Sequence, residues 1–312
     1  MMPRPSWQPT RRDLWPVGLG AAAAWLAGPG WSQARAPAGP NPPTGPLGQV
    51  PWRLGLAAYS LRDYLTGKLE PRMTLDGFVD QAAQWGFDAV ELTAYYFQDT
   101  SDAALLALRR RCLRHGLDIS GGAIGNNFCR RDPAQHREEI RKAKEWIARY
   151  ALLGAKTLRV FAGPLERGDS EEEARRRCAE ALLECCTTAG QHGILLALEN
   201  HGGIVTTADQ MLALVQMVEH EWFGVNLDTG NFRTADPYGD VARLAPHAVT
   251  VQVKTEIQVA GRPKETADLG RLMDILRQAN YRGTVVLEYE AKEDPKTAIP
   301  THAADLRELM RR

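Results

Sequence analysis

The sequence lacks the features that mark several large classes of protein. Basic and acidic residues balance at 38 each, and no run of like charges resembles a nucleic-acid-binding tail, so the composition does not indicate a polyanionic partner. The five cysteines are an odd number and form no CxxC pair, which makes a disulfide framework or a zinc motif a poor explanation for them. We therefore expect buried free thiols. The first predicted strand, from Arg53, is not followed by a GxGxxG loop, which argues against an open, doubly wound sheet.

The N-terminal 36 residues have the pattern of an export signal. A twin-arginine pair at residues 11 and 12 precedes a weakly apolar segment, which ends in the small-residue pattern Ala34-Arg35-Ala36. Four glycines and two prolines between residues 14 and 31 argue against a stable membrane-spanning helix. We expect cleavage after Ala36 and a periplasmic or otherwise exported mature protein. An uncleaved membrane anchor is the alternative.

Residues 37–52 are rich in proline and glycine, and we interpret them as a linker to a globular domain at residues 53–312. Removal of residues 1–36 takes away four arginines and one aspartate, which leaves 34 basic and 37 acidic residues. This slightly acidic mature chain indicates neither a nucleic-acid partner nor a lasting membrane contact. The sequence leaves homo-oligomerisation open.

One unit repeats along the rest of the chain: an amphipathic helix, a short break that often contains glycine, and a short apolar strand. The breaks and strands begin at Trp85, His115, Leu153, His192, Glu221, Pro246 and Tyr281. An initial strand from Arg53 brings the number of strands to eight. Eight strand–helix units in about 260 residues predict a single (β/α)8 TIM barrel, and the open doubly wound sheet is the alternative.

The segment VTVQVKTE at residues 249–256 alternates between apolar and polar residues, as a strand with two different faces does. In an open sheet this segment could be an edge strand with one solvent-exposed face. A closed barrel has no edge, so the polar row of Thr250, Gln252 and Lys254 should point into the barrel. Polar groups near the C-terminal ends of barrel strands lie where barrel active sites are built.

Strands five to eight each bring one oxygen-bearing side chain to this mouth. Alternation places four residues inward there: Glu199, Asp228, Gln252 and Glu288. Three carboxylates would repel one another and lose hydration unless a cation neutralised them. An all-oxygen ligand set favours one Mn²⁺ ion, with Mg²⁺ or Co²⁺ as further options and Zn²⁺ less favoured. In the alternative interpretation, Lys254, Arg159 and backbone amides satisfy these groups without a metal.

Three further residues near the mouth are candidates for contact with a substrate. His201 lies in a glycine-rich loop, where it can form a hydrogen bond to the substrate or a structural loop contact. Lys254 can hold a substrate oxygen or pair with Glu256 or Glu290. Tyr59 can form a wall of the pocket or belong to the core.

Arg159 is predicted to point inward from strand four, where an unpaired cation would be costly. Glu91 also points inward, from strand two, and we expect the two to form an ion pair. A direct contact of either side chain with the substrate is the alternative.

Five motifs recur at the strand ends of one known family. They are GLAAYSLRD at strand one, LENHGG after strand five, NLDTGN after strand six, VQVK in strand seven and LEYE after strand eight. With these motifs in this order, the chain resembles the sugar phosphate isomerase/epimerase family of xylose isomerase-like TIM barrels over about residues 53–311. Each motif is weak alone, and together they are fairly specific.

The resemblance implies a divalent-metal-dependent isomerase or epimerase that moves a proton next to the carbonyl of a sugar. The family's metal ligands correspond here to Glu199, Asp228, Gln252 and Glu288. Glu199 and Glu288 would also remove and return the proton through an enediolate. Gln252 stands where many members have His, although the hydroxypyruvate isomerase branch has Gln. Asn231 stands where tagatose epimerase-like members have a substrate-binding His, so it is a candidate substrate contact and the sugar specificity does not carry over.

The predicted barrel is also compatible with other functions. A lyase or hydratase acting on 3-keto-glycosides would begin with the same proton abstraction and end in elimination. An endonuclease IV-like hydrolase would need a His-rich zinc cluster and a basic face, both of which this sequence lacks. A sugar-binding barrel without catalysis is disfavoured because all four presumed ligands are present. Export would favour free, oxidised or glycosidic sugars over sugar phosphates.

Overall fold

Eight parallel strands close into a barrel, which confirms the (β/α)8 fold expected from the repeat. The computed structural model describes residues 52–312, so the predicted signal and all but the last residue of the predicted linker lie outside it. The barrel strands are β1 (Leu54–Ala57), β2 (Ala89–Thr93), β3 (Asp118–Ala123), β4 (Thr157–Val160), β5 (Leu195–Glu199), β6 (Phe223–Asp228), β7 (Ala248–Val253) and β10 (Val285–Leu287). An antiparallel hairpin of β8 (Glu256–Ile257) and β9 (Glu265–Thr266) follows β7.

Helices alternate with the barrel strands. They are α1 (Arg62–Leu65), α2 (Leu75–Gln84), α3 (Asp102–Arg114), α4 (Pro133–Leu153), α5 (Glu171–Gln191), α6 (Ala208–Met217), α7 (Pro237–Leu244), α8 (Leu269–Gln278) and α9 (Pro295–Arg311). Thr207 and Gln210 form both hydrogen bonds of a capping box at the start of α6. Gly193 has a φ of 68°, the left-handed conformation that turns the chain from α5 into β5.

The strand register brings the predicted site residues side by side. Asp228 of β6 pairs with Gln252 of β7, and Glu199 of β5 pairs with Asn226 of β6. Leu198 and Val253, on the opposite faces of their strands, are fully buried in the hydrophobic core. The two-residue alternation therefore separates core residues from mouth residues, as the sequence predicted.

Two smaller expectations concern cysteines and membrane spans. All five cysteines are buried and free, which confirms the prediction of free thiols. Within residues 52–312, none of the helices combines the length and the apolar character needed to cross a bilayer. The predicted export signal lies outside those residues.

Candidate active site at the barrel mouth

Buried polar and charged side chains line the C-terminal mouth of the barrel, the end at which TIM-barrel active sites are built. Those with at most 7% exposure include Glu91, Arg159, Glu199, Asn226, Asp228, Gln252, Lys254 and Glu288. The predicted row of Glu199, Asp228, Gln252 and Glu288 lies at the ends of four neighbouring strands, β5, β6, β7 and β10. Glu199 and Glu288 are therefore the two ends of this row.

Lys254 is the cation at the centre of one half of the site. Its Nζ lies 2.5 Å from Glu288 Oε2, 3.3 Å from Asp228 Oδ2 and 3.0 Å from Glu290 Oε1. Burial alone would lower the pKa of Lys254, but the three carboxylates outweigh it and hold the pKa well above its usual value. Lys254 is therefore positively charged. Its contact with Glu290 is one of the pairings expected from the sequence.

Arg159 holds Glu199 at the other end of the row. Its Nε lies 2.9 Å from Glu199 Oε2, and its Nη1 donates a hydrogen bond of 2.9 Å to the carbonyl of Ile124. Asn231 Nδ2 donates a 2.9 Å hydrogen bond to Glu199 Oε1. The expected ion pair between Arg159 and Glu91 is wrong, since Arg159 pairs with Glu199. Each oxygen of the Glu199 carboxylate thus has its own polar partner.

Gln252 occupies the middle of the row and is held through both ends of its amide. Its Oε1 accepts a 2.7 Å hydrogen bond from Asn226 Nδ2, and its Nε2 donates a 2.7 Å hydrogen bond to Glu91 Oε1. Glu91 belongs to β2, which is not a neighbour of β7 in the barrel, so this contact crosses the barrel interior. Glu91 thus contacts a predicted metal ligand directly.

The cluster contains more acidic groups than cations. Its members are the carboxyls of Glu91, Glu199, Asp228, Glu288 and Glu290 and the cations Arg159 and Lys254. Burial, together with the neighbouring Glu288, raises the pKa of Glu91 to about 8. Burial raises the pKa of Asp228 to about 7 against the opposing effect of Lys254. Burial raises the pKa of Glu199 to about 7 against the opposing effect of Arg159. The site therefore has capacity for additional positive charge.

The chemistry of the row fits a hard divalent cation, because three carboxylates and one amide supply oxygen donors alone. Asp228 Oδ2 is buried and accepts no hydrogen bond from residues 52–312, although Lys254 Nζ lies 3.3 Å away as an ion-pair partner. Within residues 52–312, no three His, Cys, Asp or Glu side chains converge closely enough to hold a metal by themselves. A cation bound by the row would need the amide oxygen of Gln252, and it would share Asp228 and Glu288 with Lys254.

Aromatic residues lie at the rim of the mouth. The ring of Phe161 stacks against His201 with centroids 4.4 Å apart, and the guanidinium of Arg159 lies 3.9 Å from the same ring centroid. Tyr59 is half-buried, with the guanidinium of Arg62 5.2 Å from its ring centroid. These rings lie beside the buried charged groups of the mouth.

Some contacts in the site were not expected from the sequence. Asn226 has the inward parity of Asp228, and it donates a hydrogen bond to Gln252 beside a register shift in the pairing of β6 with β7. Asn200 accepts from the backbone N–H of Asp228 and donates to the Asp228 carbonyl, each at 2.9 Å. Both contacts fix the geometry of Asp228 and Gln252, and strand alternation alone carries no signal for either.

Comparison with known proteins agrees with this architecture. The chain is 25% identical to a D-psicose 3-epimerase of Agrobacterium fabrum over 232 residues, which cover 68% of this chain and 78% of the relative. It is 24% identical to an inosose dehydratase of Geobacillus kaustophilus over 305 residues, covering 84% of this chain and 94% of the relative.

Solved structures show the same fold. A 3-keto-D-glucoside 4-epimerase from E. coli superposes with a TM-score of 0.65 at 15% identity, covering 82% of this chain and 99% of that one. The IolI protein with a bound zinc atom also gives 0.65, at 19% identity, covering 83% of this chain and 96% of that one.

The closed barrel and its carboxylate-rich mouth define a TIM-barrel protein with a candidate site at the C-terminal strand ends. The model of the xylose isomerase-like TIM barrel family matches residues 79–311, so the chain belongs to that family. This confirms the family expected from the motifs at the strand ends.

Proposed function

We propose that the protein is a divalent-metal-dependent isomerase or epimerase that acts on a keto or aldo sugar or a derivative of one. The observation that carries the proposal is the placement of Glu199 and Glu288 at the two ends of one row of oxygen donors, each beside its own buried cation. Asp228 and Gln252 lie between them on neighbouring strands. The epimerase relative supports a sugar substrate.

The proposed reaction moves a proton between carbon and two carboxylates. A divalent metal, when bound by Glu199, Asp228, Gln252 and Glu288, would polarise the substrate carbonyl and stabilise the negative charge that develops on it. Glu199 takes the proton from the carbon next to the carbonyl, and Glu288 returns a proton to give the isomeric sugar or epimer. We propose Mn²⁺ as the metal because the donors are all oxygen atoms.

Other residues of the chain hold this pair in place. Arg159 and Asn231 fix the two oxygens of Glu199, so its carboxylate is oriented before the substrate arrives. Lys254 holds Glu288. We propose that His201 and Tyr59, at the rim, contact the sugar hydroxyls.

A second candidate is a lyase or hydratase on a keto sugar or keto-glycoside. The inosose dehydratase relative, which matches over most of both chains, favours this reaction specifically. Its first step is the same proton abstraction by Glu199. The reactions differ afterwards, because elimination expels a group from the neighbouring carbon, whereas isomerisation returns a proton.

Incubation of the metal-loaded protein with ketohexoses, inososes and 3-keto-glucosides in D₂O, with product analysis by mass spectrometry and NMR, tests both candidates. An isomeric sugar carrying deuterium at the reacting carbon supports the isomerase, and loss of water or of an aglycone supports the lyase. Glu199→Gln and Glu288→Gln should each lower kcat by about 10²–10⁴-fold. Glu308→Gln, at an exposed ion pair with Arg312, is the control. Full activity of either site variant, with its fold intact, would overturn the role given to that residue.

We also propose that the mature protein is exported through the twin-arginine route, as its N-terminal pattern indicates. Free or glycosidic sugars would then be its substrates rather than sugar phosphates. Fractionation of cells that express the full chain tests this, since an exported protein appears in the periplasm with residues 1–36 removed. Full-length protein in the cytoplasm would contradict it.

A further inference from the structure

The side-chain amide of Gln252 is anchored across the barrel by Glu91. The two residues are separated by 161 positions in the chain, and both are about 1% exposed. Gln252 Nε2 donates to Glu91 Oε1 at 2.7 Å, while Gln252 Oε1 accepts from Asn226 Nδ2 at 2.7 Å. This chain of hydrogen bonds therefore assigns a distinct neighbour to each end of the amide.

The orientation of that amide decides whether Gln252 can be a metal ligand. An amide oxygen is an acceptor that can bind a cation, whereas the NH₂ group is a donor that cannot. The two ends of the amide are nearly equal in size, so packing alone does not choose between them. Only hydrogen-bond partners distinguish the two orientations.

Glu91 is the partner that makes this choice. A flipped amide would set Gln252 Oε1 against Glu91 Oε1, and two acceptors facing each other repel. It would also set Gln252 Nε2 against Asn226 Nδ2, but Asn226 can turn its own amide because its Oδ1 has no hydrogen-bond partner among residues 52–312. Glu91 Oε1 accepts a hydrogen bond from Gln252 Nε2 in the observed orientation, and the flipped amide would lose it. The orientation of the Asn226 amide therefore adjusts to that of Gln252, whereas Glu91 fixes the orientation of the Gln252 amide.

We propose that Glu91 is a positioning residue that holds the Gln252 amide with its oxygen available to a divalent cation. This inference rests on the proposed function, because it concerns the same metal site. An amide presents a ligand atom at one end and a donor at the other, so its orientation decides whether it can bind a metal. Because Gln252 is an amide, a second residue, Glu91, is needed to fix its orientation.

The test is a double-mutant cycle on Mn²⁺ affinity, measured by isothermal titration calorimetry on the full mature chain. Glu91→Met keeps the approximate size of the side chain and removes the acceptor. It should weaken Mn²⁺ binding about 10–100-fold, the range typical of lost partners of metal ligands. In a Gln252→Glu background no amide remains to be oriented and Glu91 would face a second carboxylate, so Glu91→Met should not weaken Mn²⁺ binding there.

Two further variants separate positioning from charge and from misfolding. Glu290→Gln also removes a carboxylate from the cluster but does not contact Gln252, so its effect on affinity should be equal in the two backgrounds. Glu91→Gln is isosteric with the native residue and can pair with Gln252 in either orientation. It should show the same background dependence as Glu91→Met with a smaller amplitude. Melting temperatures confirm that each variant is folded.

The outcomes distinguish this inference from the proposed function. If the wild-type chain binds no Mn²⁺, the proposed function fails. If the wild-type chain binds Mn²⁺ but Glu91→Met and Glu91→Gln leave the affinity unchanged, only the inference about Glu91 fails. It also fails if these variants weaken binding equally in the native and Gln252→Glu backgrounds, because Glu91 would then act through its charge alone.

Discussion

Lys254 Nζ lies 2.5 Å from Glu288 Oε2, deep in the barrel mouth, and each side chain is less than one tenth exposed. The same ammonium contacts Asp228, so one cation serves two members of the row that we propose to bind a metal. Removal of one partner of a buried ion pair is destabilising, because it leaves an uncompensated buried charge. Lys254 therefore links the stability of the metal-free protein to the charge of the site.

Replacement of Lys254 tests this link. Lys254→Met should lower the free energy of unfolding of the metal-free protein by about 3–5 kcal/mol, because Asp228 and Glu288 lose their shared cation. Added Mn²⁺ should then raise the melting temperature of the variant more than that of the wild type. Calorimetric melting of both proteins, with and without Mn²⁺, measures the two effects. Lys292→Met, on an exposed side chain, is the control. Equal stability of the wild-type and Lys254→Met proteins would contradict the role of Lys254.

Arg159 should act on the rate of the reaction rather than on substrate affinity. Arg159→Met removes the ion pair that orients Glu199, so kcat should fall about 100-fold while KM changes little. Steady-state kinetics on the substrate found in the panel separates the two constants. Arg130→Met, which breaks a peripheral ion pair with Glu166, should leave both unchanged. A rise in KM alone would show instead that Arg159 contacts the substrate.

The fold depends on close packing between Gly122 of β3 and Tyr150 of α4. A Cβ at position 122 would lie 2.0 Å from the Tyr150 ring, and the hydroxyl of Tyr150 donates a 2.7 Å hydrogen bond to the carbonyl of Leu92. Gly122→Ala should therefore cost about 3 kcal/mol or more of stability.

A matched substitution distinguishes overpacking from backbone strain. Gly116 has a φ of 69°, but no atom of the described residues lies within 4 Å of an added Cβ, so Gly116→Ala should cost only about 1 kcal/mol. Urea denaturation of both variants measures the difference. Equal stabilities would mean that the Tyr150 ring moves aside without cost.

The alternation of strand residues was sufficient to predict which side chains face the barrel interior. It placed Glu199, Asp228, Gln252 and Glu288 at the mouth because side chains in a strand repeat with a period of two, whatever the rest of the fold does. The Gly-containing breaks likewise predicted where helices end, since Gly193 needs a left-handed conformation that other residues adopt at a cost.

Alternation could not predict which inward side chains meet. Glu91 was expected beside Arg159, but it lies next to a register shift between β2 and β3 and reaches Gln252 across the barrel. Arg159 pairs instead with Glu199 of the neighbouring strand β5. Such contacts depend on strand register and on side-chain length across the interior, and neither is encoded in a local pattern.

The central claim is that the row of Glu199, Asp228, Gln252 and Glu288 binds a catalytic divalent metal. The most direct test is the metal content of the Mn²⁺-loaded, gel-filtered protein, measured by mass spectrometry together with turnover before and after chelation. We predict about one equivalent of bound metal, loss of turnover on chelation and recovery on addition of Mn²⁺. Asp228→Asn should bind metal more weakly. A wild-type protein that retains no metal and converts its sugar substrate equally well after chelation would contradict the account.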